Sequence, residues 1–352
     1  MTTDLQTMAA PKPDRTTYIG GSDTAAIIGV SEWKTQLGCY FQKRGEPLPA
    51  DLAVDHNREK RFRRGRLMEP VVIEMLIAEH PIKVTKRSPP ENPNRYIDRE
   101  HAFIAAEIDF EWEVTPEIVA HFAENGVEID AALIGTTQNG EVKSAHPFVA
   151  MKKFGEEGTD EIPIEYAAQA MHGLMVTGRQ LTIFPVLVGS DDLIIYWVKR
   201  DDATIEAIRA KEVSFWRDHV LPGVPPAAVN LPDVFQMFRR RAASAIDATA
   251  EIAAAVTAMR MLSSRKTVAE EGIEALKFEI GDFMLGAKEI ADPKKKGVHV
   301  LTFQGDSILE LSLQEQARID SDELRLKFPD AAEACSKTTS LFVFRKPAKR
   351  RA

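Results

Sequence analysis

Glu141 and Lys143 flank Val142 in the segment GEVKSA, residues 140–145. Alternation predicts a strand, and in a strand residues i and i+2 share a face. An acid and an ammonium group therefore project together, while Val142 points into the opposite layer. Asp109 closes a second candidate strand, HAFIAAEIDFEW at 101–112. If the two strands are neighbours, Asp109, Glu141 and Lys143 converge. Carboxylates of this kind, with waters and a phosphate oxygen, suit magnesium. A metal held there lowers the pKa of bound water and neutralises charge on a phosphate. Lys143 adds a compact positive charge beside the reacting groups. The chemistry this predicts is metal-assisted attack of water on a phosphodiester. By itself E-x-K is also a common pattern of solvated strand faces. The elements around it decide.

Residues 18–80 read as helical. Ser22 and Asp23 of SDTAAIIG are good N-cap types before an apolar run. GRLMEPVVIEMLIAEH carries apolar residues at helical spacing around Glu69. Pro70 is tolerated best in a first helical turn, which predicts that Glu69 lies near a helix start, where it can complete a metal shell. TPEIVAHFAEN at 115–125 predicts a short helix capped by Thr115, with Pro116 at the first position. IPIEYAAQAMHGLMVTG at 162–178 predicts a helix ended by Gly178. LTIFPVLVG and LIIYWVKR predict two strands joined by Ser190, Asp191 and Asp192, followed by the helix DATIEAIRAKEVSFWRDHVL.

The proline-rich stretch LPGVPPAAVNLPD at 221–233 reads as a linker. It divides a domain over 1–225 from a smaller one over 234–352. In the second, Ser263 and Ser264 interrupt an alanine-rich helical pattern and predict a helical hairpin, with a stripe formed by Ile246, Ile252, Val256 and Met259. The short strands VHVLTFQG, ILELSL and SLFVFRK surround the helix DSDELRLKF and predict a small α/β unit.

The 352 residues are 44% hydrophobic and 28% charged, ordinary for a globular protein. No run of 18 apolar residues occurs, so no membrane span is expected. The first residues, MTTDLQTMAAPKPDR, lack an apolar signal core. Two cysteines, Cys39 and Cys335, argue against a disulfide framework and for a reducing cytoplasm. A net charge of −8 disfavours open, nonspecific nucleic-acid binding. NREKRFRRGR at 57–66 nevertheless concentrates Arg63, Arg64, Arg66 and further bases, a stripe fit for phosphates or for solvent.

Read in order, YIGGSDTAAIIGVSEWKT, QKRGEP, GRLMEP, AAEIDF, GEVKSA and YAAQAMHGLMVTG resemble the YqaJ-like viral recombinase family. That family includes the phage lambda exonuclease and belongs to the PD-(D/E)XK nuclease superfamily. The resemblance covers residues 15 to about 220. It implies a restriction-endonuclease-like α/β core, a mixed sheet flanked by helices. It implies a magnesium-dependent DNA exonuclease, 5′-to-3′ on double-stranded ends, with manganese as a substitute. It further implies a ring-shaped trimer, a single-strand annealing partner, and a bacterial or phage-infected cell. Asp109, Glu141, Glu69 and the carbonyl of Val142 match metal ligands, Lys143 the family lysine, and Gln169 a glutamine on the next helix. Ser22 and Arg15 match a pocket for a DNA 5′-phosphate, a role that a helix N-terminus, a hydroxyl and an arginine also suit physically.

Three positions depart from the family. Phe110 stands where glycine usually follows the aspartate, and Met171 where a second glutamine is common. The insertion holding TPEIVAHFAENG offers Asp130 as an alternative ligand. A structure-selective endonuclease and a non-catalytic DNA-binding or assembly protein are the competing functions. Ser22 lies outside G-x-S-x-G, and the glycines form no nucleotide-binding loop. His101, His146 and His172 lack metal-ligand spacing and read as solvated or core. Of the tryptophans, Trp33, in a loop beside Ser31 and Lys34, is the one placed to stack on DNA ends.

Overall fold

A computed structural model describes residues 14–46, 56–88, 94–242, 245–286, 298–304, 306–312, 320–336 and 344. The chain forms two compact units that meet in sequence between Arg241 and Ala242.

In the first unit, helices α1 (Gly21–Ile28), α2 (Gln36–Lys43) and α3 (His56–Glu79) precede the sheet. Strands β1 (Lys83–Arg87), β2 (Asn94–Ile97), β3 (Ala105–Ile108) and β4 (Phe110–Glu113) follow. Helix α4 (Pro116–Glu124) leads to β5 (Thr137–Gly140) and β6 (Lys143–Ala145). Helices α5 (Pro147–Lys153) and α6 (Ile164–Thr177), strands β7 (Leu181–Val188) and β8 (Asp192–Lys199), and helices α7 (Asp202–Phe215) and α8 (Leu231–Arg239) complete it. The mixed sheet runs β1-β4-β5-β7-β6, with β8 on the far side of β7. Its β5–β7 and β6–β7 pairs are parallel and the rest antiparallel. Val72, Ile73 and Leu76 of α3 pack on Phe110, Trp112 and Ile183 in one buried layer. Leu174 of α6 and Ile205 and Ile208 of α7 pack on Phe184 and Val186 in another. The expected mixed sheet flanked by helices is what forms.

Two predicted strands are each broken at a site residue. The 101–112 segment divides at Asp109: β3 pairs with β2 in a separate two-stranded ladder, and β4 joins the main sheet. The 140–145 segment divides at Glu141 and Val142. β5 and β6 run in succession along the same edge of β7, with Gly140 opposite Ile183 and Lys143 opposite Val186. Pro185 falls in the interval between those pairs and has no N–H to give a ladder. The backbone donors there are used otherwise. Glu141 N donates to the Ile183 carbonyl at 3.0 Å, and Val142 N donates to Asp109 Oδ2 at 2.8 Å. Phe110 lies opposite Gly140. A Cβ at Gly140 would stand 2.2 Å from Phe110 Cζ, so the large residue after the aspartate is accommodated by the absence of a side chain before the glutamate.

Other expectations are corrected. Gly20, not Ser22 or Asp23, is the N-cap of α1. Asp23 instead reaches back from the first turn to accept from Gly20 N at 3.2 Å. Glu69 is not near a helix start, because α3 begins at His56 and continues through Pro70. A proline inside a helix costs ~3 kcal/mol. Burying Val72, Ile73 and Leu76, all at 3% exposure or less, returns roughly 1.5–3 kcal/mol apiece, so the helix persists. Helix α8, assigned by sequence from residue 234 onward to the smaller domain, belongs to the first unit. Asp233 binds the first unit through the Thr35 hydroxyl at 2.8 Å.

The second unit contains helix α9 (Ala250–Gly286), strands β9 (Val298–Phe303) and β10 (Asp306–Ser312), and helices α10 (Ser321–Lys327) and α11 (Pro329–Cys335). There is no hairpin at Ser263 and Ser264, since α9 is one helix of 37 residues. The Ser263 hydroxyl donates to the Met259 carbonyl at 2.9 Å, one turn back, and so stays within the helix rather than capping a new one. β9 and β10, both expected as strands, pair antiparallel. The third expected strand, SLFVFRK, lies outside the described residues apart from Phe344.

Candidate active site

Asp109 stands at the corner between β3 and β4, and Glu141 at the interruption between β5 and β6. Pairing of β4 with β5 brings the two corners together. Lys143, the first residue of β6, donates through Nζ to Glu141 Oε1. Gln169 of α6 donates through Nε2 to the same oxygen. The predicted convergence of Asp109, Glu141 and Lys143 therefore occurs, and the glutamine belongs to it.

One cavity is lined by Asp109, Glu141 and Gln169 and also by Arg15, Ser22 and Glu107. Arg15 Nη2 donates to Ser22 Oγ at 2.7 Å, and Arg15 Nη1 to the Tyr18 hydroxyl at 3.2 Å. Glu107 Oε1 stands 3.7 Å from Arg15 Nη1. Ser22 is in the first turn of α1, so its hydroxyl sits beside free helical N–H groups. Residues 12–180, which contain all of these side chains, match the model of the YqaJ-like viral recombinase domain.

Over those residues the first unit is similar to a YqaJ-like viral recombinase domain. The chain is also 25% identical over 338 residues to the uncharacterized protein YqaJ of Bacillus subtilis strain 168, covering 93% of this chain and 90% of that protein. Among crystal structures it is similar to the alkaline exonuclease LHK-Exo of Laribacter hongkongensis, at 15% identity and a TM-score of 0.38, over 64% of this chain and 93% of that one. For LHK-Exo in complex with dAMP the values are 16%, 0.37, 58% and 88%.

Around this cavity, charge is crowded. Burial and the adjacent Glu141 push Asp109 up to about 7. Burial and Asp109 likewise push Glu69 up to about 7, although Lys143 and Arg66 pull it down. Burial would lower Lys143, but Glu141 and then Asp109 outweigh it and raise its pKa, so the ammonium stays charged. Among the described residues no three His, Cys, Asp or Glu side chains are gathered as a metal site. Asp109 and Glu141 meet at the strand corners, Glu107 of the same cavity faces Arg15, and Glu69 on α3 is a neighbour within electrostatic reach. Two carboxylates plus waters are an ordinary magnesium set, and carboxylates that repel each other at neutral pH are short of a cation. The donor set fits the ion.

The remaining predicted residues lie elsewhere. Arg63, Arg64 and Arg66 are exposed on α3, outside the cavity lining. Trp33 is 81% exposed in its loop, with Lys153 Nζ 5.9 Å from its ring centre. Asp130 is no substitute ligand: it is exposed and caps a short 3-10 turn through Ala132 N at 2.8 Å.

Sequence reading missed two buried networks behind the site. Lys43 Nζ, fully buried, donates to Asp23 Oδ2 at 2.6 Å and to the carbonyls of Arg15 and Tyr18, which anchors the pocket backbone. His172 faces Glu212 Oε1 at 2.8 Å through Nδ1 and the Ala105 carbonyl at 3.0 Å through Nε2. The Thr24 hydroxyl donates to that same Glu212 oxygen at 2.7 Å. Two acceptors on one imidazole require both ring nitrogens to carry protons. The one available signal was spacing, since His172 lies three residues beyond Gln169, one helical turn away.

Proposed function

We propose that this chain is a divalent-metal-dependent deoxyribonuclease that digests double-stranded DNA from its 5′ ends. The observation that carries the reading is the single cavity shared by Asp109, Glu141 and Gln169 on one side and by Arg15 and Ser22 on the other. Carboxylates for phosphodiester chemistry thus lie beside donors for a terminal phosphate.

Asp109 and Glu141 would hold magnesium, or manganese in its place, with the Val142 carbonyl adjacent. When bound, such a cation activates water and offsets charge on the scissile phosphate. The chain's own groups do the rest. Lys143 is held protonated by its two acidic neighbours, so it serves as a fixed positive charge and not as a base. Gln169 and Lys143 together fix one oxygen of Glu141. The Val142 N–H orients the Asp109 carboxylate and ties the two strand corners into one unit. Arg15, Ser22 and the first turn of α1 bind the dianionic end of a strand. That end sets where the next phosphodiester falls. Single-stranded product from such digestion is the substrate of an annealing partner.

The test is a titration with magnesium followed by thermal melting. A ligand that binds the folded state alone raises its stability by mass action. The wild type is expected to melt higher with magnesium at neutral pH, and Asp109→Asn and Glu141→Gln are expected to lose that increment along with cleavage. An equal magnesium increment in all three proteins would contradict the assignment of the carboxylates.

A further inference from the structure

Helix α9 of the second unit has none of its side chains buried, yet it is not a polar helix. Its apolar residues follow a period of 3.5. Taking Ile252 as position a of a heptad, the a positions are Ile252, Met259, Lys266, Ile273 and Ile280. The d positions are Ala255, Leu262, Ala269, Leu276 and Phe283. Nine of these ten are apolar, through five unbroken heptads. Leu262 is 64%, Leu276 57% and Phe283 65% exposed. Off the seam the helix is mostly polar, alanine or glycine, with Val256, Met261, Val268, Phe278, Met284 and Leu285 as exceptions. Because α9 is continuous, it cannot fold back to cover its own stripe as a hairpin would.

We propose that α9 pairs with α9 of a second copy of this chain as a parallel, two-stranded coiled coil. A strict seven-residue repeat over several turns is the signature of a supercoiled seam and not of a helix lying on a globular core. At a rise of 1.5 Å per residue the 37-residue helix is about 55 Å long, ample for such a seam. Isoleucine at a with leucine at d favours two parallel strands over three.

The charges specify the partner. Arg265 occupies position g and Glu270 the following e, so in a parallel pair each Arg265 meets the Glu270 of the other chain. An antiparallel pair with Lys266 opposite Ala269 would set Arg265 against Gly272 and Glu270 against Ser263. Lys266 is the one polar residue in the seam, and a single lysine at a fixes register at some cost in stability. Its Nζ lies 3.6 Å from Glu270 of its own helix, so its charge is balanced where it enters the seam. A seam complementary to itself, in both apolar pattern and charge, fits a second copy better than an unrelated helix.

Cysteine pairing tests this on the full chain. With Cys335→Ser removing the exposed native thiol, Ala255→Cys and Ala269→Cys place thiols at d positions, which face each other in a parallel pair. Thr257→Cys places one on the outer face in the same turn. Mild oxidation is expected to give covalent dimers from the first two and none from the third. No cross-linking at 255 and 269, or equal cross-linking at 257, overturns the proposal. Independently, Leu262→Asp combined with Leu276→Asp should halve the mass measured by light scattering, with whatever contacts the first units make left in place. An unchanged mass refutes pairing, a threefold fall refutes two strands, and a halved mass without the disulfides refutes the parallel arrangement.

Discussion

Lys143 shows how neighbours decide the role of a residue. Alone, a lysine in a partly buried cleft shifts toward neutrality and becomes a candidate base. Here Glu141 and Asp109 reverse that shift, while burial and Glu141 drive Asp109 upward. On the proposed function, Lys143 therefore serves as a fixed charge and not as a proton shuttle. Arg15 is the second residue with a testable role. Its guanidinium already holds the Ser22 hydroxyl, and a terminal phosphate monoester carries close to two charges where an internal diester carries one. Arg15→Ala is expected to slow digestion of 5′-phosphorylated ends severalfold more than that of 5′-hydroxyl ends, so that the ratio of the two rates approaches one. Initial rates on the two substrates measure it. A ratio equal to that of the wild type would mean that Arg15 serves the pocket only as structure.

At the scale of elements, α1 and α6 bring Ser22 and Gln169 to one cavity, and the His172–Glu212 pair with Thr24 fastens those two helices to α7. The His172 pKa is raised: burial opposes the charge, but Glu212 outweighs it. A group whose folded pKa is raised stabilises fully below its unfolded value near 6.5, and that stability is lost as pH climbs through the folded value. Removing one partner of a buried pair costs on the order of 3–5 kcal/mol. His172→Gln is therefore expected to lower the melting temperature most at pH 6, with a deficit that shrinks as the pH rises. Melts across that range are the measurement, and a deficit independent of pH would contradict a charged His172. Much of the site was legible beforehand. Asp109, Glu141 and Lys143 follow from alternation on strands, and Thr115, Pro116 and Gly178 mark helix ends by local chemistry. What was not legible depends on long-range packing. The break at Glu141 arises because Pro185, far along the chain, withholds a donor. Glu69 sits mid-helix because burial of α3 outweighs the cost of Pro70. His172 and Glu212 are 40 residues apart in sequence, and neither stands in a motif. The hairpin expectation failed because Ser263 bonds back within its own helix.

For the whole molecule, charge and architecture divide the work. A net charge of −8 would repel DNA from most of the surface, while Arg63, Arg64 and Arg66 give α3 a local basic face. On the proposed function, contacts of that kind would hold phosphates locally and weaken steeply with salt. The residues that line that cavity belong to the first unit, and the assembly proposed above rests on the second. Among the described residues no helix is long and apolar enough to cross a membrane. The central claim is that the cavity cuts DNA from ends, and one comparison tests it most directly. Purified protein is incubated with end-labelled linear duplex and with closed circular duplex, with and without magnesium, beside Glu141→Gln. The expected result is magnesium-dependent loss of the linear duplex alone, with at least a hundredfold lower rate in the variant, as befits loss of a metal ligand. Equal cutting of the circle would replace the exonuclease with an endonuclease, and wild-type rates in Glu141→Gln would contradict the site itself.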